Sequence, residues 1–366
     1  MTRWKQFPAG PAWRGRWLAG VLAAVAALAV VAGGLAAARP VAGWWAGPRS
    51  IGVGTEGADA VAVSPDGETL YAANWDGEGA SGGITVVSLA TGQPGRRVSA
   101  GGPVVGLAMM PGGRALCALV EEGSGGDRLV RVGLATLRAA ELGAFPYGVQ
   151  GMVPAGTMLY VLAGTPGGSM AVVPVDVGSG RREKAIPVPP GSQAIAVSPG
   201  GRMLYVGAGG AGGKGPGEVI PVDARTGKAG RPAWFTRPVT GLAISPDGRR
   251  LFGLSSSYQC RDGGRCGGRC DLVGLDLMTG AARSPARLDS GCDQVEVTPD
   301  QRAVLVLNSD NSLTAVDATT GQVEATTRTA GFIAGEGDSG FLIAPDGRTA
   351  YIADQSRGIV VIPVNY

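Results

Sequence analysis

Along most of the chain, short apolar runs alternate with turn signals. In the first unit, alternating apolar positions at 60–63 and 69–72 flank Ser64-Pro65-Asp66-Gly67. Proline presets φ, Asp hydrogen-bonds its own backbone and Gly accepts positive φ, so the segment predicts two strands joined by a tight turn. Two further runs, GGITVVSLATGQ (82–93) and RRVSAG (96–101), complete a unit of four antiparallel strands. The third strand ends on a Thr-Gly turn that recurs as PVDARTGK (221–228), GLDLMTGA (274–281) and AVDATTGQ (315–322).

The same phrase occurs seven times. Its turn prolines are Pro65, Pro111, Pro154, Pro199, Pro246, Pro299 and Pro345, separated by 46, 43, 45, 47, 53 and 46 residues. That period predicts the blades of a β-propeller. The fold class is all-β: a seven-bladed β-propeller over 49–366 with four-stranded antiparallel blades. Residues 50–54 (SIGVG) read as a fourth strand with no blade before them, and the last repeat stops after its third strand, 358–364. Pairing 50–54 with 358–364 closes the ring and removes the exposed sheet edges.

Three residues before the turn proline, the innermost strand holds a small side chain in five repeats: Ala62, Ala108, Gly151, Ala196 and Ala243. Small residues there let seven strands converge on an axis. Leu342 takes the position in the last repeat and Glu296 in the sixth. A carboxylate at a crowded axis is desolvated unless paired, so Glu296 is expected to hold a raised pKa, bind a cation or meet an arginine.

The repeat resembles the YVTN-type β-propeller repeat, found also in YncE-like exported proteins. It stands here as Val61-Ala62-Val63-Ser64-Pro65-Asp66-Gly67 with Tyr71-Ala72-Ala73-Asn74, and as Ala344-Pro345-Asp346-Gly347 with Tyr351-Ile352-Ala353-Asp354. The resemblance covers roughly 50–366 and is weakest at Met110-Pro111-Gly112-Gly113 and Val153-Pro154-Ala155-Gly156. It implies a fold more than an activity, because propellers host unrelated functions. Propeller lactonases are similar in outline, but no catalytic set carries over residue by residue.

A second element precedes the repeats. Residues 17–38 form 22 residues without a charge, long enough to cross a bilayer as a transmembrane helix. Arg14 and Arg16 flank the start, so residues 1–16 read as a cytoplasmic basic tail and the propeller as extracytoplasmic. Trp13, Trp17, Trp44 and Trp45 mark the two interfaces. The alternative is a cleaved signal peptide ending at Ala36-Ala37-Ala38 and a secreted propeller. The apolar run is long for that role, and Arg39-Pro40 is a poor context for cleavage. The expected localisation is the cell membrane, single-pass.

Charge changes the picture once it is divided. Of the 32 Lys and Arg, five lie in residues 1–48, which hold no Asp or Glu; this leaves 27 basic against 29 acidic residues in the rest. The folded part is thus mildly acidic and lacks the cationic footprint that nucleic acid requires. The chain has no histidine. That excludes Ser-His-Asp and Cys-His nucleophile arrangements and His-ligated metals. No cofactor or metal is implied. Asn74, Asp76 and Glu78 mimic the start of an EF-hand loop, but Thr85 stands where a bidentate Glu is needed.

Four cysteines cluster in the repeat frame. Cys260, Cys266 and Cys270 lie in an insertion between the second and third strands of blade five, and Cys292 lies between blades five and six. Those connections emerge on one propeller face, so an exported chain is expected to form two disulfides among them, in any of three connectivities. Cys117, inside ALCALV, reads as a buried free thiol. The same face carries the loops that enter each innermost strand. Their polar residues, Asp59, Gln150, Gln193, Asp293, Glu336 and Asp338, together with Glu296, form the candidate ligand-binding set. Tyr147, Thr240, Gln294 and Ser339 stand beside them. These features predict a membrane-anchored binding or scaffold module for a protein or small-molecule ligand. The alternative is a propeller hydrolase or lactonase that works through mouth carboxylates without histidine.

Overall fold

The computed structural model describes residues 49–364 except 54–56, 75–81, 124, 210–214, 262–264, 284, 289, 329–339 and 356, and omits the side chains of 257–261 and 265–267. The segment 17–38 and the basic tail lie outside the described residues, as do Glu336, Asp338 and Ser339. No helix among the described residues is long and apolar enough to cross a membrane.

The chain forms seven four-stranded antiparallel sheets in sequence order around an axis. The innermost strands are Ala60–Val63, Val104–Met109, Val149–Ala155, Ser192–Val197, Val239–Ile244, Cys292–Val297 and Phe341–Ile343. Both faces of each blade are covered by neighbours, so the second strands read as nearly continuous apolar runs. Between blades one and two, for example, Ala62, Tyr71 and Ala73 pack on Leu107, Met109 and Leu116. Blade seven takes its outermost strand from Arg49–Ile51, which pairs antiparallel with Gly358–Pro363. First and last residues of the propeller are thereby hydrogen-bonded in one sheet, with Ala58 N–H donating to Asp354 O at 2.7 Å beyond the strand.

The meander gives the ring two unlike faces. On the turn face, the first strand of each blade turns into the second, and the third into the fourth. The other, or loop face, carries the connections between second and third strands and from each blade to the next. The tight turns follow from their sequences: in blade one Gly67 sits at φ 73°, and Asp66 Oδ1 accepts the Glu68 N–H at 2.9 Å. In the Thr-Gly turn of blade four, Asp223 Oδ1 accepts Thr226 N–H at 2.7 Å and Arg225 N–H at 3.1 Å.

Two blades depart from the repeat as read in sequence. In blade three, Ala155 pairs directly with Met158, so the turn is two residues shorter and Pro154 lies within the strand opposite Leu159. The counterpart of Ala62, which faces Tyr71, is therefore Val153 facing Tyr160, and not Gly151. Counting from the proline fails because the proline itself has moved. In blade five the extra residues do not make a separate loop. They lengthen the hairpin into two 12-residue strands, Arg250–Arg261 and Arg265–Asp276, which extend beyond the loop face.

Candidate functional site

The loop face owes its shape to one recurring irregularity. In blades two to six the innermost strand opens with a β-bulge: pairing skips Val105, Gln150, Gln193, Thr240 and Asp293. A bulge residue is unpaired and re-aims its side chain. Gln150, Gln193 and Asp293 of the candidate set thus hold one equivalent position in blades three, four and six. Thr240 Oγ1 at the same position is buried without a hydrogen-bond partner. Asp293 Oδ1 accepts the Ser309 hydroxyl at 2.7 Å. Asp59 accepts from Gln355 Nε2 at 2.8 Å, across the join between blades one and seven. Burial raises the Asp59 pKa, the Gln355 hydrogen bond opposes this, and nearby Glu121 adds to the rise.

Blade six breaks the small-residue rule twice. Where six blades carry Ala60, Gly106, Gly151, Ala194, Gly241 and Gly340, blade six has Gln294; two residues on, it has Glu296. Residues two apart on a strand share a face. Their cross-strand neighbours Leu307 and Leu305 pack on Phe341 and Ile343, so both side chains project toward blade seven. Gln294 Nε2 donates to Phe341 O at 2.8 Å. Glu296 is 8% exposed, and no hydrogen bond or ion pair reaches it among the described residues. Burial alone pushes its carboxyl well above the usual range. No arginine meets Glu296 there, and a neutral, protonated acid is the form the surroundings favour.

A third perturbed carboxyl was not legible in the sequence. Asp127 opens the third strand of blade two, and its Oδ2 accepts the Val149 N–H at 2.6 Å. Burial pushes its pKa up to about 6, with Glu121 and Glu122 adding to the rise against the hydrogen bond. The register explains the residue. Asp127 occupies the same blade position as Cys270, and Val149 the same as Cys292. Cys270 and Cys292 are joined by a disulfide with Cα atoms 5.8 Å apart. In blades one and four the position is Gly82 and Gly217, where an added Cβ would lie 2.2 Å from Gly102 O and 2.4 Å from Arg237 O. At this position blade one is held to blade two, and blade four to blade five, by close glycine packing, blade two to blade three by a buried carboxyl, and blade five to blade six by a disulfide. Asp127 is thus part of a contact between blades.

The side chains of Cys260 and Cys266 lie outside the described residues, although the backbone register sets the two residues opposite one another. Cys117 is buried and free, and burial pushes its thiol up to about 12. Thr85 is occupied by Asn74 Oδ1 at 2.8 Å and Val53 O at 3.1 Å, and so braces the sheet. Among the described residues no group of three or more acidic, Cys or His side chains is placed to hold a metal ion.

No protein-family model matches the chain, and no curated protein matches it. Solved structures do. The chain is similar to a structure of Kuenenia stuttgartiensis hydrazine synthase, with 17% identity and a TM-score of 0.68 over 84% of this chain and 96% of that one. It is also similar to the β-propeller domain of Cps50 (Swd1) from Myceliophteria thermophila, with 13% identity and a TM-score of 0.63 over 87% and 98%. At these identities the likeness shows the seven-bladed propeller and not an activity.

Proposed function

We propose that the chain is a membrane-anchored, extracytoplasmic propeller that binds a ligand or protein partner through its loop face. The observation that carries this reading is the Gln294–Glu296 pair on the innermost strand of blade six. An apolar contact between blades has been replaced there by a hydrogen-bonding amide and a buried carboxyl that has no partner among the described residues, a substitution that packing does not call for. Buried polar groups without partners are costly, so such a group points to a function that repays its cost. The bulge residues Gln150, Gln193, Thr240 and Asp293 add hydrogen-bonding groups at the loop-face ends of the innermost strands, with Asp293 three residues before Glu296. Hydrolysis would need two carboxyls acting on each other, whereas burial is the sole cause of the Glu296 shift. Binding is therefore the reading the geometry supports.

The test is a thermal-shift screen of the full chain against divalent cations and primary amines. A saturable rise in Tm that disappears in both Glu296→Gln and Gln294→Ala supports the site. A rise that both variants retain, or no rise with any probe, overturns it.

A further inference from the structure

One basic position recurs along the turn face. On the turn face, the residue after the glycine position of the first turn is Arg114, Arg202, Arg249, Arg302 and Arg348 in blades two, four, five, six and seven. All five are exposed, and no hydrogen bond or ion pair engages their guanidinium groups among the described residues. These turns join the innermost strands to their neighbours, so the arginines ring the axial opening. The carboxylates in the same turns are tethered. Asp247 and Asp346 accept the backbone N–H of Arg249 and Arg348 at 3.0 and 2.9 Å. Short, tethered acids and long arginines leave the guanidiniums the outermost charges of these five turns, while blade one carries the exposed Glu68 at the same position. On the loop face, Arg128 and Arg237 are spent on Glu122 and Asp271.

The polarity of the closing strand adds an independent observation. Gly358–Pro363 runs toward the turn face, where Val364 N–H donates to Arg348 O at 2.8 Å. Arg49 lies opposite Val361 and Ile51 opposite Ile359, so Arg49–Ile51 runs from the turn face toward the loop face. The chain therefore enters the propeller from the side that carries the arginines. Residues 39–48 separate the apolar segment from this strand, and ten residues span at most about 35 Å.

We infer that the turn face is a membrane-docking surface, held against anionic lipid headgroups by the arginine ring, with the loop face directed away from the bilayer. This rests on the anchor reading given above, and it adds an orientation and a lipid chemistry. A basic residue near an anionic bilayer surface favours association roughly fivefold, and salt screens the effect within about a Debye length.

The experiment uses the full chain in lipid discs of phosphatidylcholine with and without phosphatidylglycerol, doped with a headgroup spin-labelled lipid. A fluorophore is coupled through a bioorthogonal amino acid at Met278, 81% exposed on the turn face, or at Tyr147, 54% exposed on the loop face. The expected result is stronger quenching at position 278 than at 147. The difference should grow with phosphatidylglycerol, shrink at high salt, and fall when the five arginines are changed to Gln. Lipid and salt dependence on the unsubstituted ring carry the test if the fivefold variant fails to fold. Equal quenching at the two positions, or stronger quenching at 147, overturns the inference. The anchor is read separately by alkaline carbonate extraction. If extraction releases the chain, the anchor reading has failed; phosphatidylglycerol-dependent quenching at 278 would then still uphold the docking face, and its absence would overturn it.

Discussion

Glu296→Gln isolates the energetic consequence of the buried carboxyl. Among the described residues Glu296 has no partner, and burial alone raises its pKa well above the usual value. In the unfolded chain it titrates near the ordinary value of about 4.3. Between those two values the native state holds one proton more than the unfolded state, so stability is fully present below the unfolded pKa and falls as pH rises, by about 1.4 kcal/mol per pH unit. Asp127 contributes a slope of the same sign, but only until its own folded value of about 6 is passed. The Glu296 slope ends where its own raised folded value is reached. Glutamine has nearly the same shape and no proton to lose, so the substitution should flatten the profile. Below the raised folded value of Glu296, the variant should gain on the wild type with each step up in pH. The assay is urea unfolding of the full chain at a series of pH values, followed by tryptophan fluorescence. Wild-type and variant profiles that stay parallel from about pH 4 upward would refute the reasoning, because they would mean that Glu296 is charged and compensated in solution.

Three further outcomes are expected. A chain beginning at residue 53 lacks the closing strand and should melt lower than one beginning at 49, with hydrogen-exchange protection lost first in blade seven; equal melting would show that the ring does not depend on that strand. Joining Cys270 to Cys292 across a sequence separation of 22 contributes about 3 kcal/mol, so without reductant Cys270→Ser/Cys292→Ser should unfold at a lower urea midpoint than wild type, and reductant should lower the wild-type midpoint more than the variant's. Because the register leaves Cys260 opposite Cys266, thiol titration of denatured, unreduced chain should find one thiol, Cys117, and a count of three would mean that this second pair is reduced. Finally, Gln301 holds the glycine position of its turn at φ 64°, so Gln301→Gly should stabilise the chain by about 1 kcal/mol in the same unfolding assay.

The sequence determined the blades, because a period-two apolar pattern closed by Pro-Asp-Gly turns is a local code: each turn is satisfied by residues within five positions of it. It also exposed Glu296, since one carboxylate among small residues is visible by alignment of the repeats alone. What it could not supply were relations that depend on register between elements. Val153 replaced Gly151 because a turn two residues shorter moved the proline into the strand, and no count along the chain reveals where pairing begins. Gln294 escaped notice as Glu296's companion for the same reason, and Asp127 became intelligible only when blade two was superposed on blade five and its carboxylate fell where Cys270 lies. The tertiary structure alone chose Cys270–Cys292 from three connectivities, since that choice depends on which blade edge the next strand passes. It also decided which face the chain enters, because strand polarity across the closure follows from the register of Arg49 on Val361 and not from either segment by itself.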